Sequence, residues 1–136
     1  MEKAISSVFQ LKGFFIEETH IKIKGNIFED LELNIQPEGI HYQSDHKFHL
    51  RLTVSIKDKE DSFTCQIICR GEFTFKPDGD IIPEYFYINA PAIIFPYVRA
   101  YISTLTNLST AGFSVTIPTL RMDFKEQLKD KIKVEE

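Results

Sequence analysis

Apolar and polar residues alternate with a period of two through the first half of the chain. The cleanest run covers residues 48–57, where every second side chain is apolar and those between are polar or charged. Similar runs lie at residues 20–24, 31–35 and 63–70, and the short connections between them favour antiparallel hairpins. The pattern predicts four antiparallel strands in one sheet with a single apolar face. Gly71 is expected to mark a bulge in the fourth strand.

The spacing of apolar residues becomes helical after the turn residues 77–80. Pro96 lacks the amide hydrogen that a continuing helix uses. We therefore expect a short turn over residues 90–95 and a main helix from about Pro96 to Thr110, which Gly112 ends.

A last helix is expected to begin at Pro118, with charged residues covering its other side. Its apolar residues recur every four positions: Leu120, Phe124, Leu128 and Ile132. Strands followed by helices indicate an α+β fold, in which a long helix and a C-terminal helix pack on one side of a four-stranded antiparallel sheet. A chain of 136 residues has the size of one domain, here residues 1–136.

The main helix has apolar residues on two faces instead of one. Between residues 85 and 120 the single charged residue is Arg99. One apolar stripe can pack on the sheet of the chain itself, but the second needs another partner, either a second copy or an apolar client. The first stripe is Phe95, Val98, Ile102 and Leu105, and the second is Tyr97, Tyr101 and Leu108.

Composition excludes several classes of function. The net charge of −4, with Lys and Arg scattered among acidic residues, argues against binding to nucleic acid. Prolines and Arg99 interrupt the apolar stretch before it reaches the ~20 residues of a membrane span, so no membrane insertion is expected. The first residues lack the apolar core of a signal peptide, which favours the cytoplasm.

Candidate chemistry is sparse. Cys65 and Cys69 lie four positions apart on one strand, about 13 Å at ~3.3 Å per residue, which is too far for a disulfide, and they are expected to be buried. The four histidines show no metal-binding spacing and are expected at the surface. No nucleophile motif or phosphate loop is present. We therefore expect no catalytic, cofactor or metal site and no enzymatic activity.

Many aromatic residues lie near the passage from sheet to helix. Most are expected in the core, and the others are expected to line a groove. The set is Phe63, Phe73, Phe75, Tyr85, Phe86 and Tyr87.

The start of the long helix has a distinctive order of residues. Residues 89–91 read Asn-Ala-Pro, and residues 93–99 read Ile-Ile-Phe-Pro-Tyr-Val-Arg. This segment resembles that of SecB-type export chaperones, in which a Pro-Asn-x-Leu-Phe-Pro-Tyr-Ala-Arg run occupies the same place. The similarity extends to most of the chain, at residues 9–11, 31–35, 50–55, 63–65 and 118–124.

The resemblance implies a cytoplasmic, ATP-independent holding chaperone that keeps non-native polypeptides unfolded for Sec-dependent protein export. It also implies a homotetramer, built as a dimer of dimers with the long helices between two sheets. The implied client-binding residues are Leu31, Leu33, Ile35, Phe86, Phe124 and Leu128. The implied oligomer interface consists of Tyr97, Val98, Tyr101, Ile102 and Leu105.

Two further partners follow from the resemblance. Export members dock the SecA translocation motor through acidic side chains on the open sheet face, where this chain has Lys22, Thr64 and Gln66 and keeps only Glu18 as an acid. Other SecB-like proteins are chaperones dedicated to the antitoxin of a toxin–antitoxin system, and this remains the alternative function. A third alternative is an unrelated small-molecule-binding or interaction domain.

Overall fold

The structure is a computed structural model that describes residues 9–25, 30–76, 82–110 and 125–135. Within these ranges the chain forms five strands and two helices. Their bounds are β1 (Phe9–Ile23), β2 (Glu32–Tyr42), β3 (Lys47–Lys57), β4 (Phe63–Phe75), α1 (Phe86–Ser109), α2 (Lys125–Lys129) and β5 (Ile132–Glu135).

The strands form one sheet in the order β1-β4-β3-β2-β5. The pairs β1–β4, β4–β3 and β3–β2 are antiparallel, as the alternation predicted. The short strand β5 pairs parallel with β2. The α+β class is confirmed, and the sheet has a fifth strand that the pattern did not predict.

β5 occupies the place where the end of the last helix was predicted. α2 ends at Lys129, and Ile132 lies in β5 opposite Gly39. Residues 132–135 read Ile-Lys-Val-Glu, an alternating pattern that suits a strand, and the Gly39 amide donates to the Lys131 carbonyl oxygen at 3.1 Å. Pairing with β2 therefore decides the conformation here. Gly112, Pro118, Leu120 and Phe124 lie outside the described residues.

β1 is a strand of 15 residues with two bulges. Its register against β4 shifts between Leu11 and Gly13 and again between Ile16 and Glu18. An extra residue at each bulge moves the following side chains to the other face. The apolar residues of β1 do not alternate strictly in sequence, and the bulges keep all of them except Phe15 on the inner face of the sheet.

α1 is one continuous helix of 24 residues that includes Pro91 and Pro96. The predicted start at Pro96, with a separate turn before it, is wrong. A proline inside a helix costs about 3 kcal/mol, but full burial of one large apolar side chain contributes about 1.5–3 kcal/mol. Burial of one face offsets the two prolines, and this face comprises Phe86, Tyr87, Ala90, Pro91, Ile94, Phe95, Val98, Ile102 and Thr106.

Gly71 allows α1 to approach the sheet closely. It pairs with Phe14 and Leu50 without a register shift, so the bulge predicted at this position is wrong. A Cβ atom at Gly71 would lie 2.8 Å from Cγ2 of Ile94, which is buried in α1. The missing side chain therefore sets the spacing between helix and sheet.

Replacement of Gly71 by alanine should lower the free energy of unfolding by about 1–3 kcal/mol, because the new methyl group overlaps Ile94. Urea unfolding measures the change. The control is Gly25→Ala, whose Cβ would meet Ser62 at an ordinary 3.5 Å. Equal stability of the two variants would contradict the close approach of α1.

Candidate functional surfaces

One flank of α1 exposes apolar side chains. Tyr97 is 53% exposed and Leu108 is 79% exposed, and Ile93 is also exposed. These residues recur at helical spacings of four and eleven positions, so they lie on the same side of the helix. The second stripe predicted from the sequence is therefore at least partly uncovered in the single chain.

This flank lies next to β1. The rings of Tyr97 and Phe14 stack with their centroids 5.4 Å apart, and the Tyr101 hydroxyl lies 2.8 Å from Oγ1 of Thr19. The helix flank and β1 therefore form one continuous surface. We call it the α1–β1 surface, and it comprises Ile93, Tyr97, Tyr101 and Leu108 with Phe14 and Thr19.

The residues predicted for the oligomer interface divide between this surface and the core. Val98 and Ile102 are fully buried in the core of the chain. Tyr101 and Leu105 are half-buried against that core, and Tyr97 is exposed. A second copy of the chain could reach Tyr97 directly and Tyr101 and Leu105 in part.

The residues predicted to bind clients also occupy different environments. Leu31, Leu33 and Ile35 are half-buried beside and within β2. A cavity of about 650 Å³ is lined in part by Leu33 and Ile35. Phe86 and Leu128 are completely buried, and Phe124 lies outside the described residues.

The aromatic residues near the start of α1 form one packed cluster. The ring of Phe86 lies at its centre, with the centroids of Phe9, Phe48, Phe75 and Phe73 at 4.8, 4.9, 5.0 and 5.3 Å. Of the predicted aromatic set, all but Tyr85 are buried. The cluster therefore belongs to the core and anchors the N-terminal turn of α1.

Both cysteines are buried and free, as predicted. Burial raises the pKa of the Cys65 thiol to about 11 and that of Cys69 to about 12. The Cys69 thiol also donates weakly to the Leu52 carbonyl oxygen at 3.7 Å. Neither thiol is ionised near neutral pH, so neither is a ready nucleophile.

His41 is buried, so the prediction of a surface position is wrong for this histidine. It lies on the inner face of β2, and the imidazole centroid is 6.2 Å from that of Phe48 and 6.0 Å from that of Phe75. Burial lowers the pKa of His41, and the nearby His46 lowers it further. Two-residue alternation along β2 places His41 inward together with Gly39, and this alternation is the sequence signal for its burial.

The outer face of the sheet carries a charge network around Glu17. Arg51 and Arg70 lie directly opposite each other on β3 and β4. Glu17 accepts a hydrogen bond from Nε of Arg51 at 3.0 Å and another from Nη1 of Arg70 at 3.1 Å. Its carboxylate therefore offsets the repulsion between two neighbouring guanidinium groups.

Two comparisons with known proteins bear on this arrangement. The chain is 38% identical over 63 residues to "Protein-export protein SecB" of Anaplasma phagocytophilum (strain HZ), a match that covers 43% of this chain. It superposes with a TM-score of 0.67 on the SecB-like chaperone of Mycobacterium tuberculosis that was solved in complex with a ChAD peptide from the HigA1 antitoxin. The fold of the chain is SecB-like. The resemblance predicted from the helix segment is thereby confirmed.

The extent of these similarities is limited. The match to the curated SecB spans 39% of that relative's length. The superposition covers 82% of this SecB-like chain and 89% of the M. tuberculosis chain at 15% identity, so it shows the fold. A Streptococcus agalactiae protein of unknown function aligns with a TM-score of 0.49 and 10% identity. No family model matches the chain.

The positions that the sequence resemblance aligned with motor-docking acids lie close together on β1 and β4. Lys22 pairs with Thr64, and Gln66 is opposite His20. The Glu18 carboxylate lies 3.4 Å from Nε2 of His20. This region of the SecB-like sheet is therefore mixed in charge, with one acid beside a lysine and neutral polar groups.

Other sites are not evident in the part of the chain that the structure describes. No group of three or more His, Cys, Asp or Glu residues within it could hold a metal ion. None of its helices is long and apolar enough to cross a membrane.

Acidification from about pH 7 to about pH 5 should lower the free energy of unfolding of this SecB-like chain. The pKa of His41 in the folded chain lies below its ordinary 6.5. The contribution of neutral, buried His41 to stability is therefore complete above pH 6.5 and is lost as the pH falls toward the folded pKa. His49, whose pKa burial also lowers, acts in the same direction.

Urea unfolding at a series of pH values measures this slope. His41→Phe should flatten it, because the substitution removes the buried imidazole. An unaltered slope in His41→Phe would show that His41 is not the buried titrating group.

Proposed function

We propose that the chain is an ATP-independent holding chaperone that binds non-native polypeptides and keeps them unfolded, for Sec-dependent export. The observation that carries the proposal is the α1–β1 surface, an apolar helix flank exposed on a SecB-like fold. Contiguous apolar surface of this kind marks a site of interaction with another molecule. The partial sequence similarity to an export SecB supports the same function.

The proposal includes a homotetramer in the cytoplasm, a dimer of dimers in which α1–β1 surfaces of different copies meet. Tyr97 and Leu108 would lose their exposed area in such contacts.

Client binding in this proposal is physical and involves no catalysis. Apolar segments of an unfolded chain would bury area at ~25 cal/mol per Å² along the half-covered positions Leu31, Leu33 and Ile35. Several such sites on one tetramer would hold a long chain by avidity, although each site alone is weak. Phe86 and Leu128 are inside the core and would reach a client only if α1 or α2 moved.

A chaperone dedicated to one antitoxin is the second candidate. The structural neighbour from M. tuberculosis was solved with an antitoxin peptide, and the positions for motor docking retain one acid among four here. A pull-down from the native cytoplasm separates the candidates. Many unfolded secretory precursors would support export, and one dominant antitoxin-like partner would support the dedicated function.

Tyr97→Glu should dissociate the tetramer into dimers or monomers, because it places a charge in a contact that excludes water. Light scattering coupled to gel filtration at micromolar concentration measures the mass. Asn107→Glu adds the same charge at an exposed polar position of α1 and should leave the mass unchanged. A monomeric wild-type protein would overturn the proposed tetramer.

Holding activity should be the same with and without ATP. The chaperone concentration that half-suppresses aggregation of a chemically denatured test protein should rise about fivefold in Ile35→Ser, since ~1 kcal/mol of apolar contact is lost per site. Light scattering follows the aggregation. Ile40→Ser is the matched control, because Ile40 is half-buried on the outer face of the same strand.

Suppression that requires ATP would overturn the holding mechanism. Equal loss of suppression in Ile35→Ser and Ile40→Ser would instead show that clients do not bind specifically to the inner face of β2.

A further inference from the structure

A charged cavity of about 400 Å³ opens on the outer face of the sheet, opposite to the side covered by α1. We call it the outer cavity. Side chains from all five strands meet there, since β5 and the residue before it add two lysines to the face formed by the other four strands. Its lining comprises Glu17, Glu38, Gly39, Ile40, Tyr42, His49, Arg51, Arg70, Lys131 and Lys133.

The two arginines of the outer cavity are held in place by carboxylates and keep further N–H groups for a ligand. Glu17 engages Nε of Arg51 and Nη1 of Arg70, and Glu38 lies 3.4 Å from Nη1 of Arg51. A guanidinium carries five N–H donors, so each arginine keeps further N–H groups for a ligand. Side chains held in this way lose little rotamer freedom when a carboxylate binds.

The two lysines of the outer cavity lie in β5 and in the residue directly before it. Lys133 is opposite Ile40 in the pairing of β5 with β2, and its ammonium lies 3.6 Å from a Glu135 carboxylate oxygen. Lys131 makes no ion pair with any described residue. It is therefore available to an anionic group in the cavity.

Further carboxylates lie beside residues that line the cavity. Glu72 lies behind Arg70 and beside His49, with oxygen–nitrogen distances of 3.7 and 3.3 Å. Four permanent cations and two carboxylates line the cavity, and Glu72 and Glu135 pair with two of these cations from outside the lining. Lys131 remains the cation that no described carboxylate pairs, although the whole chain has a net charge of −4.

The cavity has an apolar wall beside these cations. The rings of Tyr42 and His49 meet edge to face with their centroids 4.8 Å apart, and Ile40 lies next to Tyr42 on the outer face of β2. This wall suits an aliphatic or aromatic side chain adjacent in sequence to an acidic one.

We propose that the outer cavity is a docking site for an acidic segment of a partner polypeptide, with its carboxylates bound by the two lysines and two arginines of the lining and an apolar side chain against Tyr42. The site lies on the face opposite to Leu33 and Ile35, so it binds its partner independently of the proposed holding of unfolded clients. A nucleic acid is the less suitable occupant, because a single cavity on an acidic protein neutralises few phosphates.

A test uses two short fluorescein-labelled peptides. One is rich in Asp and Glu and contains a Leu, and its twin has Asn and Gln in place of the acids. Fluorescence anisotropy at low salt should show binding of the acidic peptide and little binding of its twin. The double variant Lys131→Gln, Lys133→Gln should weaken binding about tenfold, from two contacts worth somewhat under 1 kcal/mol each.

The matched control is Lys22→Gln, Lys24→Gln, which removes the same charge from two exposed lysines outside the cavity. It should bind the acidic peptide like the wild type, and both double variants should suppress aggregation normally. Equal weakening by both pairs, equal binding of the neutral twin, or preference for an oligothymidylate over the acidic peptide would each overturn the docking site. If the wild-type protein failed to suppress aggregation, the proposed holding function would be wrong, and the docking site would be unaffected.

Discussion

The close packing of α1 on the inner face of the sheet is the contact on which the other features depend. Gly71 leaves room for Ile94, and Phe86 anchors the first turn of the helix among aromatic rings from three strands. This packing keeps the helix continuous through Pro91 and Pro96. Because one face of the helix packs on the sheet, its other apolar flank remains exposed beside β1 in the single chain.

The two faces of the sheet have opposite chemistry, and the bulges of β1 help to keep them apart. On the inner side they keep apolar residues such as Phe14 and Ile16 directed toward the core. On the outer side the second bulge supplies Glu17, which engages both Arg51 and Arg70. A single strand irregularity thus serves the packing of one face and the electrostatics of the other.

The sequence predicted the elements whose patterns are local. Alternation in residues 48–57 and 63–70 requires one buried face, and β3 and β4 follow it. The Phe-Pro-Tyr-x-Arg order identified the family resemblance. The start of α1 was mispredicted because local proline preference was weighed without the tertiary burial that outweighs it. β5 was missed because a run of four residues becomes a strand only when an edge of β2 pairs with it.

Site residues were harder to predict than elements. Val98 and Tyr97 are neighbours in sequence, yet one is in the core and the other is on the surface, a distinction set by the rotation of α1 on the sheet. The outer cavity was not anticipated, since its arginines and lysines are separated by up to 82 positions and meet only through sheet order. The sequence signal for these residues is that polar side chains occupy every second position of β3 and β4. This alternation shows which residues face outward but not which of them meet.

The central claim is that another copy of the chain covers the α1–β1 surface in solution. Hydroxyl-radical footprinting of the protein alone, read by mass spectrometry, tests it most directly. If a second copy covers this surface, Tyr97 and Leu108 are oxidised far more slowly than their exposure in the single chain implies, while Phe15, exposed on the outer face, reacts freely. Rapid oxidation of Tyr97 and Leu108 at micromolar concentration would show that this surface is open and would contradict the claim.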